Sequence, residues 1–110
     1  MNITYQKYHH GNLRDEILRA AYGFVKENGY AAMSLRGIAD ECNVSATAIY
    51  RHYETKEHLL ADVVAKGFVE FNISVEGKEE DDIFQRCENY LGFAFDNYNI
   101  YDLLFSQSVV

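Results

Sequence analysis

The sequence contains no proline and no tryptophan, and only two cysteines, Cys42 and Cys87, among its 110 residues. Without proline, no helix is interrupted by ring geometry or a missing backbone donor. Two cysteines far apart exclude a CxxC pair and the multi-disulfide framework of a small secreted domain. Glu, Asp, Asn or Lys breaks every apolar stretch within a few positions, so no run reaches the roughly 20 residues of a membrane span. No apolar segment follows Met1 as an export signal requires, and the cytoplasm is the expected compartment. What is present, 48% hydrophobic and 25% charged residues, suits one folded domain and excludes a disordered tail.

The net charge of −7 at first argues against a nucleic-acid partner, because affinity for DNA comes largely from Lys and Arg neutralising phosphates. The distribution of charge changes that reading. Residues 1–56 hold seven basic against six acidic side chains, a balance of +1, whereas residues 57–110 hold three against eleven, a balance of −8. The chain therefore has two electrostatically unlike halves.

Hydrophobic spacing predicts six helices. Leu13, Ile17, Leu18, Ala21, Phe24 and Val25 recur at three and four residues over about 13–28, with Asn12 to cap and Gly29 to stop the helix. Ser34 precedes a short second helix with Leu35, Ile38, Ala39 and Cys42 on one face, ending at Asn43. Ser45 precedes a third, in which Ala48, Ile49 and Tyr53 turn inward while Thr47, Tyr50, Arg51 and His52 are free to point out. Thr55 opens a fourth, to about residue 74. Asp81 and Asp82 favour the start of a fifth, whose apolar stripe is Ile83, Phe84, Cys87, Tyr90, Leu91, Ala94, Phe95 and Tyr98. A sixth is expected to begin near Tyr101. No strand-like alternation, repeat or low-complexity tract occurs.

Residues 34–52 have the makings of a helix-turn-helix: two short helices, a small apolar contact that includes Ala39, and a turn at Asn43, where a left-handed backbone is expected and Asn is the best substitute for Gly. Periodicity alone is equally compatible with a plain helical hairpin in an unrelated bundle. Longer stretches narrow the choice. Tyr8-His9-His10-Gly11-Asn12-Leu13-Arg14, Ser34-Leu35-Arg36-Gly37-Ile38-Ala39, Val44 through Tyr53, and Thr55-Lys56-Glu57-His58-Leu59-Leu60 resemble the DNA-binding domain of TetR-family transcriptional regulators. Tyr90 through Phe95 and Tyr101 through Phe105 are similar, less specifically, to the early helices of that family's ligand-binding domain.

The resemblance implies an all-α fold: a three-helix DNA-binding head at 9–55, and at 56–110 the first part of a helical ligand-binding and dimerisation domain, cut short relative to the family. It implies a repressor that binds a palindromic DNA operator as a homodimer and is released by a small-molecule effector. Carried over position by position, Arg36, Thr47, Tyr50, Arg51 and His52 face DNA, and Ser34, Ser45 and Lys56 contact phosphates. The chemistry of the residue types agrees, since hydroxyl and imidazole groups donate to phosphate oxygens and Arg51 can contact guanine O6 and N7 bidentately. The arm Tyr5–His10, with Lys7, is either a further DNA contact or a frayed terminus.

Other chemistries find less support. His9, His10, His52, His58 and the cysteines lack metal-ligand spacing, no nucleophile is paired with a base, and no glycine-rich phosphate loop occurs, so no metal, cofactor or enzymatic activity is expected. The aromatic stretch from Phe68 to Phe105 is either core or the lining of an effector pocket, with Tyr90, Asn97 and Tyr98 as its polar groups. The alternative from a different class is a shortened helical interaction protein that pairs with a full-length relative without reading DNA itself.

Overall fold

A computed structural model describes residues 12–106, and among them every regular element is helical. In chain order these are α1 (Leu13–Asn28), a single 3-10 turn (Tyr30–Ala32), α2 (Leu35–Glu41), α3 (Ala46–His52), α4 (Lys56–Glu76), α5 (Ile83–Asp96) and α6 (Tyr98–Leu104). The amino-terminal arm through Gly11 lies outside the described residues.

The helix starts follow their capping chemistry. The side chains of Ser34, Ser45, Thr55 and Asp82 accept from the backbone N–H of Gly37, Ala48, His58 and Gln85, each satisfying a donor that has no partner within its helix. The stops at Gly29 and Gly77 use positive φ values of 87° and 62°. Asp81, expected to support α5, instead accepts from Lys78 N at 2.8 Å and tightens the connection before it.

One buried cluster runs through both segments of the chain. It joins Ile17, Ala21 and Val25 of α1 with Ile38 of α2, Ile49 of α3, Leu59 and Val63 of α4, and Ile100 and Leu103 of α6. Each Val, Leu or Ile side chain among them contributes on the order of 1.5–3 kcal/mol of apolar burial. Gly67 marks a close helix contact: a Cβ there would stand 2.8 Å from Leu104 Cδ2 and 3.1 Å from Ile100 Cγ2, so α6 seats against bare backbone of α4. Asn99 Nδ2 then donates to the Lys26 carbonyl, and the Tyr30 and Ser106 hydroxyls share a hydrogen bond, returning α6 to the end of α1.

Three expectations need correction, and the 3-10 turn adds an element that hydrophobic spacing does not signal. Asn12 precedes α1 without a side-chain capping bond. α6 starts at Tyr98 rather than near Tyr101, because Asn97 ends α5 and begins α6 at once. Most consequentially, the stripe of α5 faces outward: Ile83 is 67% exposed, Phe84 77%, Leu91 52% and Phe95 80%. The buried residue of that helix is Phe93, held edge-on by Phe71 of α4 at 5.3 Å between ring centroids. Periodicity located a broad apolar sector but not which edge of it meets α4.

Candidate nucleic-acid interface

The turn between α2 and α3 is closed by two backbone bonds. Val44 N donates to the Ala39 carbonyl at 3.0 Å and Asn43 N to the Asp40 carbonyl at 3.1 Å. With Asn43 at φ 60°, this is a Schellman closure in which an asparagine takes the left-handed position. It ends α2 and releases the chain after two residues into the Ser45 cap of α3, fixing the angle between the helices.

Within α3 only Ile49 is buried, and the following residue, Tyr53, is fully enclosed. That inward anchor leaves Thr47, Tyr50 and Arg51 exposed on one face, three and four residues apart. Tyr50, 46% exposed, is an aromatic ring held in solvent beside an arginine. Ser34, Arg36 and Ser45 are also exposed, at the first turns of α2 and α3. The Ser34 and Ser45 oxygens accept from backbone N–H groups, which leaves each hydroxyl proton free to donate outward.

His52 and Lys56 stand apart from this group. Rotation along α3 sets His52 about 140° from Thr47, and its side chain is half-buried. Lys56 is also half-buried, its ammonium donating to the Ala31 carbonyl of the 3-10 turn at 3.1 Å. It ties the start of α4 to the turn that follows α1 with one of its three protons.

Sequence reasoning missed the group that holds α3 from behind. Arg14, in the first turn of α1, donates from Nη1 to the His52 carbonyl at 3.0 Å and from Nη2 to Asp62 Oδ2 of α4 at 3.2 Å. Its guanidinium lies over the Tyr53 ring, 4.5 Å from the centroid. The Tyr53 hydroxyl donates to the same Asp62 oxygen at 2.7 Å. Burial, then the hydrogen bond to Asp62 and its negative charge, push the Tyr53 phenol well above its ordinary value, with Arg14 opposing. These partners are 38 and 48 residues apart from Arg14, a separation that no periodicity signals.

The polar groups proposed for an effector pocket are not gathered at one place. Tyr98 is 64% exposed, and the Tyr90 hydroxyl shares a 2.6 Å hydrogen bond with Tyr101. Tyr90 borders an open groove of about 450 Å³ with Val75, Arg86, Cys87 and Leu91. Arg86 is occupied at its rim, donating to the carbonyls of Glu76 and Lys78. Among the described residues, no three His, Cys, Asp or Glu side chains meet as a metal-binding group, and no helix is long and apolar enough to cross a membrane.

Comparison with known proteins agrees with this geometry. The family model described as bacterial regulatory proteins, tetR family, matches residues 17–63, the span from α1 through the second turn of α4. The HTH-type transcriptional repressor KstR of Rhodococcus jostii (strain RHA1) is 33% identical over 55 residues, covering 50% of this chain and 26% of that protein. Its counterpart in Mycobacterium tuberculosis (strain ATCC 25618 / H37Rv) is 33% identical over 55 residues, 50% of this chain and 25% of that protein. The Mycolicibacterium smegmatis protein of the same name is 31% identical over a segment of equal length, 27% of its own chain. The matched segment thus spans about a quarter of these relatives. Helix order, the closed turn and the bare face of α3 agree with the sequence match, and over residues 17–63 this chain is similar to the tetR family of bacterial regulatory proteins.

Proposed function

We propose that residues 9–55 are the operator-reading head of a transcriptional regulator, and residues 56–110 the start of its helical ligand-binding and dimerisation domain. The observation that carries this reading is α3 itself: anchored by Ile49 and Tyr53, it leaves Thr47, Tyr50 and Arg51 bare on one face. An α-helix with such a face fits the major groove, where Arg51 reads a guanine edge and Tyr50 and Thr47 meet phosphates or base edges. Arg36, His52, Ser34, Ser45 and Lys56 complete the set as flanking contacts, His52 and Lys56 from the rim. The similarity to repressors favours repression, relieved by a small-molecule effector, with a homodimer on a palindromic operator.

The test separates reading from positioning. Arg51→Ala abolishes preference for a duplex selected from a random pool, while Lys56→Ala weakens binding to all duplexes alike and lowers the salt slope by about one unit. Equal effects of both variants on selected and mixed-sequence DNA refute the assignment.

The exposed stripe Phe84, Leu91 and Phe95 favours a second reading, a helical interaction protein that pairs with a full-length relative. Sedimentation of the chain alone and mixed with such a relative decides it, and a strict monomer in both samples removes it.

A further inference from the structure

We propose that Arg14, Tyr53 and Asp62 form a positioning lock that sets the angle of α3 against α4, so that α3 meets DNA in one orientation. The inference rests on the reading of α3 as the DNA-contacting helix.

α3 is only seven residues long and buries a single side chain of its own, Ile49. One anchor point within the helix fixes it in place but leaves its angle to the contacts at its two ends. The Schellman turn restrains its first end, and the lock restrains its last. The His52 carbonyl, at the negative end of the helix, receives the Arg14 guanidinium, the favourable arrangement for a helix carboxy terminus. Tyr53, the next residue, is bound through its hydroxyl to Asp62 in the second turn of α4, and the same carboxylate oxygen receives Arg14. Three elements, α1, the end of α3, and α4, thus converge on one carboxylate oxygen.

The magnitudes indicate orientation rather than stability as the purpose. Arg14 and Asp62 are 49% and 38% exposed, and ion pairs so open to solvent add little to folding. A phenylalanine at position 53 would fill the same enclosed space, so the hydroxyl is not required for packing. What the phenol and the fork of Arg14 add is direction: two hydrogen bonds from different helices to one acceptor. Asp62 lies on the 21-residue helix that runs on into the acidic half, so a shift of α4 at this point moves the end of α3 with it.

Two measurements on the intact chain test the lock. Amide exchange is read first in Tyr53→Phe and Asp62→Asn: the amides of Arg51, His52 and Tyr53 should exchange about tenfold faster while α1 is unchanged. Unchanged exchange in both variants overturns the proposal whether or not the chain binds DNA. Affinity is read next, on a duplex selected from a random pool by the wild-type chain and on a mixed-sequence duplex. Both variants should lose about tenfold on the selected duplex and less than about twofold on the mixed one, with the salt slope retained. A lower salt slope in Arg14→Gln marks Arg14 as a phosphate contact and overturns its positioning role. If the wild-type chain selects no sequence, the functional reading fails while the exchange result still judges the lock.

Discussion

The two halves of the molecule present opposite kinds of surface. Among the described residues of the head, Tyr50 is the only large hydrophobic side chain open to solvent, whereas beyond α4's midpoint Val69, Ile73, Ile83, Phe84, Leu91, Phe95, Tyr98 and Phe105 are each more than half exposed. The head is near neutral and polar outside, with its apolar stripes met by partners. The other half is acidic, yet it shows an apolar sector to solvent. An apolar stripe therefore identifies a helix in either half, but it identifies core only where a partner helix is within reach.

That contrast can be broken most severely in the head. Ile49→Ala removes the one side chain of α3 that is buried within the helix and should cost about 3 kcal/mol in urea unfolding. A loss below about 1 kcal/mol would mean that α3 is held by its ends rather than by its core contact. In the second half, Gly67→Val forces a side chain into Leu104 and Ile100 and should cost about 2 kcal/mol. If the variant is as stable as the parent, α6 does not seat on α4 as described.

Alkaline titration sharpens the comparison further. Burial raises the Tyr53 phenol, so the folded state holds its proton longer than the unfolded state does. Its contribution is complete below the unfolded value of about 10 and declines as the pH rises beyond it. The thermal midpoint should fall above that pH, and Tyr53→Phe should flatten the fall. An identical slope in the variant would place the alkaline sensitivity elsewhere, for example at Tyr90, raised by its hydrogen bond to Tyr101. The smallest effect is expected at the surface: Phe95→Ser, at 80% exposure, should change stability by less than about 0.5 kcal/mol while reducing self-association in sedimentation. A large loss of stability there would show that the outward stripe of α5 is covered in solution.

The head was legible because its signals are local. Ser34, Ser45 and Thr55 stand three residues before the amides they cap, and Asn43 declares its left-handed turn by its own conformational tolerance. The exposed face of α3 followed from spacing of three and four. What escaped was set by distant partners. Phe93 is buried rather than Phe84 or Leu91 because Phe71 meets that edge of α5, a choice made by how two helices lie together. Lys56 reaches back to Ala31, and Arg14 reaches Asp62 across 48 residues. Side-chain bonds of that span leave no trace in residue order, so chemistry read along the chain finds the exposed face and not its supports.

The return of α6 to α1 also sets an order of assembly. Asn99 and Lys26 are 73 residues apart, and Tyr30 and Ser106 are 76, so these bonds close only after the intervening chain has been gathered. Closing so long a loop is entropically the slowest kind of contact to make, whereas α2 and α3 are joined by a turn that forms locally. Pulse-labelled amide exchange during refolding should therefore protect α3 before α6. A nascent chain that has emerged only as far as α4 would hold its helix-turn-helix already shaped, with the flank of α1 still open for a helix not yet made.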